Sequence, residues 1–272
     1  MHWAVNPIFE PGGPTKKAAA DVEAGRGGDG DHGGASGSNS PEPKDEQRSK
    51  VRPPSDHFTP HQIFYLFILD GIGSGILGGG INFAIAYALY HDRGTEKSPI
   101  RLFQFPNTLA GDTAVTIFVQ FLVTWIIESI VVNYDLKKGA VQPIGFIPEP
   151  RWWCLRWFMF LDRRKQTHEV GSIKHWCLFL FSQVIRSLIL AVAFFPLIFG
   201  VSIGLLTIVG KRTHGDWDWY YSPTWGPEIF KLVQGAVLGL LFTPPMVMFW
   251  LTRCGWVLKK QGEQPNTLIT GT

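Results

Sequence analysis

An apolar run of bilayer length, residues 63–90, carries six glycines between an acid, Asp70, and an amide, Asn82, in the stretch DGIGSGILGGGIN. In water a helix loses roughly 1 kcal/mol for each such glycine relative to alanine. In a bilayer every backbone amide has to be paired within the chain, so the helix survives. Gly71, Gly75 and Gly79 recur at steps of four and form a flat ridge that another backbone can approach closely. Asp70, Ser74, Gly78 and Asn82 form a second ridge beside it, because each step of four advances about 40° around a helix. Together they make one small, polar face, while Phe64, Phe67, Ile68, Ile72, Ile76 and Phe83 suit lipid on the other. Two readings stand: a tight packing ridge, or a narrow cavity lined by Asp70 and Asn82.

The rest of the chain supplies three more apolar runs. The spans are expected at about 62–90, 112–133, 184–209 and 229–251. In the second, Asp112 is placed to cap the helix start, and Thr116, Gln120, Thr124 and Glu128 follow at steps of four. The third run, 176–209, is too long for a core of ~30 Å. It reads as an interfacial start followed by a span kinked at Pro196, with a small ridge at Gly200 and Gly204. The fourth has Gly235, Gly239 and Thr243 on one ridge, and Pro244–Pro245 are expected to break it. Between spans two and three, RWWCLRWFMFLDRRK mixes Trp with Arg, which favours a short helix in the headgroup layer at about 151–161.

Residues 1–61 are rich in Gly, Pro, Ser and charge and cannot bury enough surface to offset chain entropy. They read as a disordered, exposed tail in which Ser38, Ser40 and Ser55 are open to modification; 257–272 reads as a second tail. The first twenty residues hold no apolar core, so the first span is expected to act as the insertion signal. Lys44, Arg48, Lys50 and Arg52 before the first span, eight Lys/Arg in loop two and three after span four make 15 near the membrane on that side, against five in loops one and three. That bias places both termini in the cytoplasm, with endomembrane or plasma membrane unresolved. Cys154, Cys177 and Cys254 then lie at the cytoplasmic edge, where disulfides are disfavoured. They are candidates for palmitoylation or for small buried apolar roles.

Asp70, Glu128 and Arg186 fall at about the same expected depth. A charge near the bilayer centre costs at least ~2.5 kcal/mol on insertion scales, so a lipid-facing position is disfavoured. One reading is an ion pair between helices, with Arg186 snorkelling to the surface. The other is that Asp70 and Glu128 share a proton or bind a cation at the end of the polar ridge through Asp112, Thr116, Gln120 and Thr124, with Asn82 meeting that ridge on its far half. In loop three, His214, Asp216 and Asp218 are candidate metal ligands, but two tryptophans interrupt them and no metal is assigned. No phosphate loop or HExxH occurs, and no cofactor is expected.

The segments DGIGSGILGGGINFAIAYALY, FPNTLAGDTAVTIFVQFLVTWIIES and LLFTPPM resemble those of small multi-pass membrane proteins of filamentous fungi that are uncharacterised. The resemblance covers about residues 62–256 and carries no activity or functional residues with it.

The expected fold is therefore all-α: a four-helix transmembrane bundle with a disordered N-terminal tail and a short interfacial helix. Spans one and two are expected to cross right-handedly through their matched ridges. Three function classes follow. The first is a non-enzymatic scaffold or assembly factor packing through small-residue ridges. The second is a small-solute or proton-coupled transporter using Asp70 and Glu128, and the third is a lipid-acting enzyme drawing on the His and Asp of loop three. The expected partners are the lipid bilayer and a membrane protein or second copy of the chain; nucleic acid is not expected.

Overall fold

The computed structural model describes residues 51–91, 99–105, 107–159, 161, 173–212, 215–221 and 225–263. Five helices succeed one another: α1 (Pro60–Tyr90), α2 (Leu109–Lys138), a short α3 (Trp153–Phe158), α4 (Ile173–Val209) and α5 (Gly226–Glu263). All but α3 are long and apolar enough to cross a membrane.

Helix α1 opens on a reciprocal cap. The Thr59 hydroxyl accepts from the Gln62 amide at 3.2 Å, the Gln62 side chain accepts from the Thr59 amide at 2.9 Å, and Pro60 fills the first helical position. Phe64–Ile72 winds as a π-helix before the α-helix resumes at Gly73. The cap of α2 is Thr108, whose hydroxyl accepts from the Gly111 amide, and not Asp112 as expected. Asp112 sits within the first turn and turns inward. At its other end α2 passes the expected limit of 133 and stops at Gly139, whose φ of 72° lets the last carbonyls of the helix be capped.

Helix α4 is continuous from Ile173, without the separate interfacial start expected of it, and Pro196 lies within it. Helix α5 likewise runs through Pro244–Pro245 instead of breaking there. Pro244 is buried against Gly71 of α1, so the backbone groups it leaves unpaired are covered by a neighbour.

The expected all-α class needs a correction. The two short loops that share one end of the bundle form a small sheet of order β2-β1-β4-β3, with β1 (Ile100–Arg101), β2 (Asn107–Thr108), β3 (Lys211–Arg212) and β4 (Trp219–Tyr221). β1 pairs parallel to β2 and antiparallel to β4, which pairs antiparallel to β3. Ile100, Leu102 and Tyr221 seal this end against Ala86, Tyr90, Leu109 and Leu206.

At the opposite end, residues from Val51 onward dock on the bundle, so the domain starts before the expected boundary at 61. The Ser55 amide donates to the Pro143 carbonyl at 2.9 Å, and Gly145 donates back to Ser55 at 3.0 Å. Ser55 is buried and so does not offer a modification site. The helical part likewise reaches Glu263, beyond the expected 256. The tail readings for 1–50 and 264–272, with Ser38 and Ser40, lie outside the described residues.

The helix pairing also differs from expectation. α1 lies chiefly against α5, while α2 packs on both α4 and α5 and meets α1 only marginally. Gly71, Gly75 and Gly79 face Pro244, Ala236, Leu240 and Leu232 of α5. The reason is that α5 brings its own small ridge, Gly235, Ala236 and Gly239, so two backbones close on each other. The inward side of α2 carries Phe121 and Trp125, which fill the main core with Trp250, Leu251 and Tyr65 instead.

Candidate functional site: a polar file between α1, α2 and α5

The steps of four along α2 turn its polar residues inward. Thr116, Thr124 and Glu128 are buried, and Asp112 and Gln120 are half-buried. Asp112, Thr116 and Gln120 meet partners from other helices, Thr124 is tied to Gln120 of its own helix, and Glu128 lies near other acids.

Nearest the sheet, α5 contributes Lys231, which is fully buried. Its ammonium lies 3.1 Å from Asp112 Oδ2, donates to the Thr116 hydroxyl and reaches the Asp112 carbonyl at 3.4 Å. The Tyr90 hydroxyl of α1 donates to the same Asp112 oxygen at 3.1 Å. Such a pair holds together only because several groups share in replacing the lost water.

In the middle, Asn82 donates to the Gly78 carbonyl at 2.7 Å and to Gln120 Oε1 at 3.3 Å, and Gln120 donates to the Thr124 hydroxyl at 3.5 Å. With Tyr90–Asp112, this contact carries the side-chain meeting of the first two spans. On the α1–α5 seam the Thr243 hydroxyl donates to Ser74 Oγ at 2.7 Å. Gln234, one turn along α5 from Lys231, is buried with neither end of its amide hydrogen-bonded.

Toward the far end the file becomes acidic. The Tyr65 hydroxyl donates to Asp135 Oδ2 at 2.7 Å. Asp70, Glu128 and Asp135 all lie within electrostatic reach of that phenol, and Asp70 and Asp135 within reach of Glu128. Glu128 is only 7% exposed, and its Oε2 has no hydrogen-bond donor; the same is true of Asp70 Oδ2. Asp135, near the end of α2, thus joins Asp70 and Glu128 in this acidic set.

Arg186 does not snorkel to the surface. It is 3% exposed and donates from Nε to the Phe158 carbonyl and from Nη2 to the Trp157 carbonyl, both at 2.9 Å, with Nη1 on Ser182 of its own helix. Its guanidinium also lies 4.6 Å from the Trp157 ring centre. A cation is favourable at a helix C-terminus, so Arg186 fastens the end of α3, itself rich in exposed Trp, onto α4.

Of the remaining glycines, Gly235 and Gly239 pack on α1, whereas Gly200 and Gly204 of α4 are exposed with nothing within 4 Å of an added Cβ. Those two do not form a packing ridge within the molecule.

In loop three the two aspartates serve the sheet. Asp218 is fully buried and accepts from the backbone amides of Phe103, Gln104 and Trp219 at 2.8–3.2 Å. Asp216 accepts from the Tyr220 hydroxyl and lies 4.0 Å from Arg101. The Tyr220 hydrogen bond holds the Asp216 carboxyl below the usual carboxylate range, and the same bond pushes the Tyr220 phenol up. His214 lies outside the described residues, and among the described residues no three metal-binding side chains come together.

Lys231 is the residue that pattern reading passed over. It stands inside the expected span 229–251, where a lone lysine in an apolar run is itself a signal. Tyr65 and Gln234 gave no such signal, because a tyrosine or glutamine near a span end is ordinary.

Residues 156–251 match a family described as a protein of unknown function (DUF2456). The chain is 36% identical over 211 residues to an uncharacterised protein of Schizosaccharomyces pombe, a match covering 76% of this chain. It spans only 41% of that relative's length. It is 29% identical over 248 residues to an uncharacterised protein of Saccharomyces cerevisiae, covering 70% of this chain and 78% of that one. No solved structure matches. These similarities agree with the expected likeness to uncharacterised fungal proteins.

Proposed function

We propose that the chain is a four-span integral membrane protein that moves protons or a small solute coupled to them along the file between α1, α2 and α5. The single observation that supports this most is the run of inward groups from Lys231 and Asp112, through Thr116, Asn82, Gln120 and Thr124, to Glu128 and Asp70. Ionisable groups inside an apolar bundle are costly, and apolar residues of the same size would pack at no such cost. Glu128 in particular has a buried oxygen without a donor, which a proton or bound cation would satisfy. The excess of Lys and Arg supports a topology with both termini and loop two in the cytoplasm. The acidic end of the file is then the cytoplasmic end.

The test is flux in proteoliposomes made with the full chain. Parent protein should dissipate an imposed pH gradient faster than protein-free vesicles, and Glu128→Gln and Asp70→Asn should reduce that flux toward the vesicle background. Equal flux in parent and both variants would contradict the reading.

A scaffold role is the second reading, favoured by α4. Only 11% of its apolar window is buried, and Gly200 and Gly204 lie on its open side. A membrane protein or second copy of the chain recovered at fixed stoichiometry in mild detergent would support it; a lone monomer would not. Of the loop-three residues that a lipid-acting enzyme would draw on, Asp218 is already taken up by backbone amides.

A further inference from the structure

Resting on that transport reading, we infer that Lys231 makes the file selective for protons and keeps metal cations out of it. Its buried ammonium bonds to two members of the file, Asp112 and Thr116, so it stands in the route. A metal cation following the file has to displace the ammonium from Asp112 and Thr116, the oxygen groups that would otherwise replace its hydration shell, and that exchange is costly in a dry interior. The ammonium cannot step aside, since Asp112 Oδ2 at 3.1 Å, the Thr116 hydroxyl and the Asp112 carbonyl hold it.

A proton does not have to pass the charge. The ammonium gives one proton to the Thr116 hydroxyl as that hydroxyl passes its own proton on along the file toward the Glu128 carboxylate, and the neutral amine takes a replacement from the Asp112 side, so charge and atoms balance over the cycle. Tyr90, which donates to Asp112, is a second proton-bearing group at that end. Glu128, Asp70, Asp135 and Tyr65 are the titratable groups at the other end. Among the described residues, the other buried cations on the surrounding helices are Arg186 on α4 and Arg253 on α5.

The experiment compares three full-length proteins in vesicles at equal incorporation: parent, Lys231→Arg, and Lys231→Met combined with Asp112→Asn. Proton entry is read with an internal pH dye and metal-cation entry with Rb+ uptake. Parent should pass protons while Rb+ uptake stays at the level of empty vesicles. Lys231→Arg keeps the charge but cannot release a proton; it should lose proton flux and still exclude Rb+. The neutral double variant should admit Rb+ above the empty-vesicle level. Rb+ uptake through the parent would overturn the selectivity while leaving the transport reading intact, and that result does not depend on any variant folding. Undiminished proton flux through Lys231→Arg, or continued exclusion of Rb+ by the double variant, would also overturn the role of Lys231. Absence of both fluxes in the parent would overturn the transport reading itself.

Discussion

A Cβ added to Gly78 would lie 2.8 Å from the carbonyl oxygen of Gly235, and one added to Gly235 would meet the Gly78 carbonyl in turn. The two helices therefore touch backbone to backbone at this level. A methyl group at Gly235 also meets the Asn82 amide at 2.5 Å, so the contact fixes the amide that bridges to Gln120. Gly235→Ala and Gly239→Ala should each destabilise the bundle by about 1–3 kcal/mol, as overpacking does. Gly200→Ala and Gly204→Ala, in open space, should be neutral or stabilising by up to ~1 kcal/mol through helix propensity. Denaturant unfolding in micelles distinguishes the two pairs.

Lys231 and Asp112 should behave as a coupled pair. Removing the charge on Lys231 alone with Met leaves a carboxylate without its cation, at a cost of about 3–5 kcal/mol. Adding Asp112→Asn should recover part of that loss. A double-mutant cycle by the same unfolding assay checks it, and additive effects would mean the pair does not interact.

Asp218 is a bracket between loops one and three. Asp218→Ala frees the amides of Phe103, Gln104 and Trp219 at once. The expected loss is about 1–3 kcal/mol. Amide hydrogen exchange should rise at residues 103, 104 and 219, while the helices below keep their protection.

Much of this architecture was legible in the chain, and the reasons it was only partial are specific. Length and hydropathy located four long helices, and the steps of four from Asp112 to Glu128 identified the inward side of α2. The partner of the Gly71–Gly79 ridge was misassigned because ridges on α2 and α5 share the same spacing. Residue size decided between them: Gly235 and Gly239 admit a backbone, and Phe121 and Trp125 do not. The sheet was invisible because strands of two or three residues carry no alternation. Depth alone suggests an acid as one partner for Arg186, and it gives no hint that the carbonyls at the end of α3 also take its guanidinium. Of the polar file, the α2 residues and Asn82 were readable, while Lys231 needed the observation that span four turns it inward.

The Tyr220–Asp216 contact should be visible in pH titration. Asp216 holds the Tyr220 phenol above its ordinary range, so Asp216→Asn should bring the Tyr220 titration down, measured by NMR of labelled tyrosine with Tyr220→Phe to assign the signal. The Asp216 carboxyl, conversely, is depressed in the folded protein. Its contribution to the sheet end is present above the ordinary carboxylate range and is lost as pH falls through the depressed value. Hydrogen exchange at β3 and β4 should therefore rise in strong acid before the helices open.

The pairing of the first and last spans is tested most directly by disulfide trapping between Ser74 and Thr243, whose hydroxyl oxygens are 2.7 Å apart. In membranes, with the three native cysteines replaced and a protease site placed in loop two, Ser74→Cys combined with Thr243→Cys should keep the two fragments joined after mild oxidation and cleavage. Ile76→Cys with Leu241→Cys, both on outward faces, should not. Fragments that separate for the first pair, or stay joined for the second, would mean that α1 does not turn its small polar face to α5.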